Sequence, residues 1–204
     1  MKLFCRQNLV ILATSLIALT LTSCVSVKAS NQNFVLFDFG LSASDKSHQP
    51  IMSKIMLEKP IAAEALNHHK IRYRLNYNNP SRVYFYAKSR WAATPQELLL
   101  SKASQIISYE IALPSKCSLQ LKIEAFDHVF STVESSYGVI QLNALVRDKR
   151  TYQIIASQLF SESVASPTAD AQGGTAALEQ ASEVALRKMI IWSNEILDTN
   201  EQCN

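Results

Sequence analysis

The chain has 204 residues, of which 48% are hydrophobic and 18% charged, a composition that excludes a disordered polypeptide. The length suits one hydrophobic core and is short for two. Its 20 Lys and Arg stand against 17 Asp and Glu, and two of the cations, Lys2 and Arg6, precede the first apolar run. The remainder is close to neutral, which argues against nucleic acid as a partner, since phosphate binding is built from clustered cations.

After Lys2 and Arg6 comes an uncharged run, Gln7–Ser23, apolar from Leu9. A basic start, a short apolar stretch and small residues at its end are the parts of a signal peptide. The run falls short of the about 20 apolar residues that span a bilayer. Leu21, Thr22, Ser23 and Cys24 resemble the bacterial lipobox, whose cysteine takes a diacylglycerol and becomes the first mature residue. Residues 1–23 are thus expected to be a lipoprotein signal peptide, Cys24 the lipidation site and residues 24–32 a small, polar tether. Anchoring by acyl chains such as palmitate gains about 0.8 kcal/mol per buried methylene, and more than one chain is needed. Val25 is not the aspartate that holds enteric lipoproteins at the inner membrane, so the periplasmic face of the outer membrane is the expected address. Cys5 leaves with the signal peptide. Cys117 and Cys203 remain, and both a disulfide and two unpaired thiols fit an oxidising compartment.

Asn33–Phe39 is β-branched and aromatic and reads as a strand closed by Gly40. A polar loop, Ser42–Gln49, leads to a second strand at Lys54–Leu57. Ile61–Leu66 has helix formers over fewer than two turns and ends at Asn67, His68 and His69. Ile71, Tyr73, Leu75 and Tyr77 alternate with Arg72, Arg74 and Asn76, the period of a half-exposed strand. Asn78–Ser81 is a turn by composition, and Val83–Tyr86 the returning strand. Thr94, Pro95 and Glu97 form a helix start of the capping-box kind, and the helix is expected to run to Leu113, before Pro114. From Leu119 the period returns to two: Leu119, Leu121, Ile123 and Ala125 share one face. Gly138–Val146 and Tyr152–Phe160 follow as a hairpin around the charged turn Arg147–Arg150. A final helix begins between Thr168 and Thr175 and runs to Leu197, with Leu178, Ala181, Ala185, Met189, Trp192 and Ile196 along one stripe. Strands and helices in alternating blocks predict an α/β domain, a mixed β-sheet with helices packed on it, over residues 33–204.

Little in the chain points to catalysis. The Gly-x-Ser-x-Gly elbow of α/β-hydrolases is missing. His68 and His69 are adjacent and lack the i, i+4 spacing that chelates a metal from a helix, so no metal site and no cofactor is expected. Asp127 beside His128 invites a catalytic pair, but Phe126, Val129 and Phe130 around them read as core, so His128 is expected at a strand end. Gly173 and Gly174 open the last helix, whose free N–H groups would suit an anion such as a lipid headgroup; a tight helix entry is the plainer reading. Arg72, Arg74, Arg82, Lys88 and Arg90 fall in one segment, either a solvated face or a contact for an anionic lipid or partner.

Arg72 to Leu75, then Tyr86 to Pro95 with its Arg90-Trp91-Ala92 core, then Leu98 and Leu99, resemble the signature of the ABC-type transport auxiliary lipoprotein component family. Phe126–Phe130 and Asp170–Gly174 with Ala177, Leu178 and Trp192 fit in the same order. Thr94 departs from the proline common there. The resemblance implies a single domain with a three-layer, anticodon-binding-domain-like architecture. It further implies a non-enzymatic accessory subunit of an MCE-type ABC transport system, which moves lipids between inner and outer membranes. The implied partners are an MCE-domain protein, the ABC permease and ATPase components, and the membrane through the lipid anchor. Phospholipid and further copies of the chain (a homo-oligomer) are additional candidates. Arg90 and Trp91 would position the first long helix, with a partner contact at Trp91 as the other option. The alternative function is a stand-alone periplasmic lipoprotein that binds lipid or a small ligand.

Overall fold

The two-residue alternation that begins at Cys117 produces the centre of the sheet. In the computed structural model the described residues are 33–40, 49–109 and 115–203. Cys24, the rest of the lipobox and the tether lie outside them, as do most of the Ser42–Gln49 loop and the expected helix end at Leu113. Strands β8 (Cys117–Phe130), β9 (Ser136–Asp148) and β10 (Ile154–Ala165) form an antiparallel meander. On its inner face Leu119, Leu121, Ile123, Ile140, Leu142, Ala144 and Val146 are fully buried.

Against that face lies the C-terminal helix, Ala171–Thr199. Counting only the two long helices, it is α2, and Pro95–Ile106 is α1. The predicted stripe is its buried side: Leu178, Ala181, Ala185 and Met189 are fully buried, while Trp192 and Ile196 pack at the core's margin. At about 25 cal/mol per Å² of apolar surface removed from water, Leu178 and Met189 contribute about 1.5–3 kcal/mol each, and the two alanines less.

On its other side β8 is flanked by three successive short segments rather than one long strand. β3 (Met56–Leu57), β4 (Ile61–Ala62) and β5 (Lys70–Leu75) each pair with it in parallel, at Ser118–Leu119, Lys122–Ile123 and His128–Phe130. β6 (Asn79–Trp91) returns antiparallel to β5, and β1 (Val35–Phe37) adds in parallel to β6 at Ser89–Trp91. The sheet is therefore mixed and eight-stranded, ordered β1-β6-β5-β8-β9-β10 with β3 and β4 beside β8. The two remaining strands, β2 (Ile51–Ser53) and β7 (Ile107–Tyr109), make a separate parallel pair. Asn194 of α2 fastens β2, its amide donating to the Met52 carbonyl and accepting from the Lys54 N–H. The mixed sheet with helices packed on it is the expected fold.

Four local expectations are corrected. Ile61–Leu66 is no helix: Ile61 and Ala62 join the sheet, and only Glu64–Leu66 turns, as a 3-10 segment. A helix of fewer than two turns barely offsets its nucleation cost, so pairing with β8 prevails. The expected strand Lys54–Leu57 is split, because Lys54 and Ile55 turn between β2 and β3. The returning strand expected at Val83–Tyr86 is far longer, reaching Trp91. Helix α1 ends seven residues early, at Ile106, where Ile107 turns extended and pairs with Ile51. Its start is as expected: the Glu97 carboxylate accepts from the Thr94 N–H and hydroxyl, both at 2.9 Å, which holds that carboxyl below its usual range.

Candidate functional site

A bulge decides what the inner face carries near residue 128. Between Ile123 and Ala125 the β8–β9 register shifts by one residue. Beyond it the inward set changes from odd to even numbers, since a one-residue slip turns every later side chain over. Phe126, His128 and Phe130 thus face the helices, opposite Ile140, Gly138 and Ser136. Ala125, predicted inward, goes to the other face with Asp127.

His128 is fully buried. The Tyr86 hydroxyl lies 2.7 Å from its Nδ1 and the Ser166 hydroxyl 3.1 Å from its Nε2. A neutral imidazole offers one donor and one acceptor and satisfies both hydroxyls. Burial pulls the ring's pKa down to about 4, against the opposing charge on Asp170. Burial also pushes the Tyr86 phenol above its usual range, with Tyr73 and Asp170 adding to it. The ring is therefore neutral at neutral pH and ties β6, β8 and the entry to α2 together. Tyr73, Tyr84, Tyr86 and Phe130 surround this node, with Tyr73 stacked on Tyr84 at 5.2 Å and 4.8 Å from the Tyr86 ring.

Asp127 is occupied elsewhere. On the opposite face its carboxylate pairs with Arg72 Nε at 2.8 Å and Arg74 Nε at 3.0 Å. Asp127 and His128 thus diverge, and the pair suggested by their adjacency does not form. Arg74 also donates to the Pro80 carbonyl at 3.1 Å. Arg72 and Arg74 are half-buried pairing groups rather than members of a freely solvated face. Arg90 donates to the carbonyls of Tyr86 and Ser89 and lies over the Phe34 ring at 4.4 Å.

Trp91 is a core residue, 1% exposed, with Phe39 edge-on at 5.8 Å and Phe126 at 5.4 Å. Its N–H donates to the His69 carbonyl, and the next N–H, of Ala92, to that of Phe37. The Arg90-Trp91-Ala92 segment therefore locks β1, β5 and β6 just ahead of α1.

Gly173 and Gly174 serve close approach. The Asp170 carboxylate caps α2, accepting the Gly173 N–H at 2.8 Å; that bond chiefly holds its pKa low. A Cβ on Gly174 would stand 2.3 Å from His128 Nδ1, and one on Gly173 would stand 2.1 Å from the Thr168 carbonyl oxygen. Gly138 works the same way from β9, where a Cβ would meet the Leu178 nitrogen at 2.5 Å. That third glycine was not singled out in the sequence, and only its place opposite His128 gives it meaning.

Cys117 and Cys203 form a disulfide with Cα atoms 5.0 Å apart. It closes a loop of 86 residues, worth on the order of 4–5 kcal/mol by chain-entropy reasoning. Among the described residues no group of three His, Cys, Asp or Glu could hold a metal, and no helix is long and apolar enough to cross a membrane. An open groove of about 560 Å³ runs between β10 and α2, lined by Leu159, Phe160, Ile191 and Trp192 with Glu162 and Lys188.

No protein-family model matches the chain, and no curated protein matches it in sequence. Solved structures do share its fold. A Xanthomonas campestris protein assigned to the family model DUF330 superposes with a TM-score of 0.64 at 17% identity, covering 82% of this chain and 99% of that one. A protein described only as uncharacterized gives 0.54 at 12% identity, with 80% and 99% covered. The likeness is one of fold. A Neisseria meningitidis lipoprotein, at 9% identity with 74% and 100% covered, has a TM-score of 0.28 and is too distant to carry an argument.

Proposed function

We propose that this chain is a lipid-anchored periplasmic lipoprotein, tethered through Cys24 to the outer membrane. It serves as a non-enzymatic accessory subunit of an MCE-type ABC system trafficking lipids between the two membranes. The observation that carries the reading is the ordered run of motifs behind a lipobox: Arg72–Leu75, Arg90-Trp91-Ala92, Phe126–Phe130 and Asp170–Gly174. In the structure these separate stretches converge. Arg72 and Arg74 of the first pair with Asp127 of the third, Trp91 of the second packs on Phe126 of the third, and Gly174 of the fourth lies against His128. Asp127 and His128 are bonded apart, the first to Arg72 and Arg74 and the second to Tyr86 and Ser166.

The test is affinity purification of the full lipidated chain from its own envelope, with mass spectrometry of bound proteins and lipids together. An MCE-domain protein or the permease in the eluate is the expected result. Phospholipid recovered without any protein component would overturn the subunit reading in favour of a lone carrier.

A further inference from the structure

The charge of this nearly neutral chain is unevenly distributed. Residues 70–90, the β5–β6 hairpin, hold Lys70, Arg72, Arg74, Arg82, Lys88 and Arg90 and no Asp or Glu. Among the described residues a single carboxylate, that of Asp127, pairs with any of them, and Arg72 and Arg74 share it. The other interactions leave charge in place: Lys70 lies 5.2 Å from the Phe85 ring centroid, Arg82 4.8 Å from that of Tyr84, and Arg90 over Phe34.

The same hairpin has an open edge. β1 covers β6 only at Ser89–Trp91, so the outer edge of Asn79–Lys88 has no partner strand among the described residues. An edge of unpaired N–H and C=O groups is a template for another strand, and cations are one way proteins guard it. One or two lysines would suffice for that. Four cations with no carboxylate partner among the described residues, Lys70, Arg82, Lys88 and Arg90, around an exposed Phe85, do more: they repel a second copy of the same edge while attracting an acidic strand.

We infer that the free edge of β6 accepts, by strand addition, an extended segment of a partner protein that carries Asp and Glu at alternate positions. The backbone edge selects a polypeptide over a lipid, and the charge selects its composition. The inference holds whether or not that partner is an MCE protein.

The test places a photo-crosslinking benzoylphenylalanine at Phe85 in the full chain, irradiates it in its own envelope and maps the adduct by mass spectrometry. The expected adduct lies on an acidic, extended segment of another protein. Its yield should fall at least five-fold in Arg82→Glu/Lys88→Glu and persist in Arg82→Lys/Lys88→Arg. Circular dichroism of each purified variant checks folding. No adduct, adducts confined to lipid, to a second copy or to an uncharged segment, or a yield indifferent to charge reversal would each overturn it. An acidic-strand adduct on a protein unrelated to MCE systems would sustain this inference while removing the proposed function. Recovery of an MCE protein without the adduct would do the reverse.

Discussion

His128 is the residue on which most of the inner polar bonding turns, and its protonation state couples to stability. The unfolded chain takes up a proton near the ordinary histidine value of about 6.5, whereas the folded ring resists until about 4. Between those values the unfolded state binds more protons, so stability falls as the pH falls through that window. The full loss is about 3 kcal/mol, from about 1.36 kcal/mol per pKa unit. Urea denaturation at pH 7 and pH 4.5 should show most of that loss in the parent and a smaller one in His128→Gln, which keeps polar contacts but does not titrate. Equal pH slopes in the two proteins would refute the assignment. From its apolar neighbours the sequence put His128 at a strand end, which did not foresee its full burial, and it put Ala125 inward. The bulge that separates them leaves no mark in the residue pattern, because it depends on how β9 pairs across from it.

At the scale of elements, the two long helices are joined by a buried cation. Lys102 of α1 is 6% exposed and pairs with Glu179 and with Glu183 of α2, the latter at 3.1 Å. Burial alone would lower its pKa, but hydrogen bonds to the two carboxylates outweigh burial and raise it. Removing one member of such a set leaves the others short of partners. Glu183 retains Arg187 at 2.8 Å, which limits the damage. Lys102→Ala should cost about 2 kcal/mol, the range for unpairing a charged group, read from the urea midpoint. A change under about 0.5 kcal/mol would show the contact to be a surface pair of little worth. In the sequence Lys102 is an ordinary helical lysine; its role exists only because α2 passes over α1. The capping box at Thr94 and the stripe of α2 were legible because both are local. The early end of α1 was not, since it results from pairing with Ile51, more than fifty positions away.

At the scale of the molecule, the α/β class followed from alternating periods, while the strand order did not. Periodicity reports which side of a strand is buried but says nothing of its neighbours. It could not show that three segments share one position beside β8, or that β1 would settle on β6. Those pairings also set an order of assembly. β8, β9, β10 and α2 are consecutive, so their contacts close over short loops and form early. β3 and β4 find their partner only in β8, with Met56 opposite Ser118 and Ile61 opposite Lys122, and the β5–β6 hairpin, though it closes locally, lacks its inner neighbour until β8 arrives. Pulse-labelled hydrogen exchange during refolding of the disulfide-intact chain should protect amides of β8–β10 and α2 before those of β3 and β4. Simultaneous protection of all six elements would deny that order. As the chain is synthesised, the half that emerges first is the half that must wait.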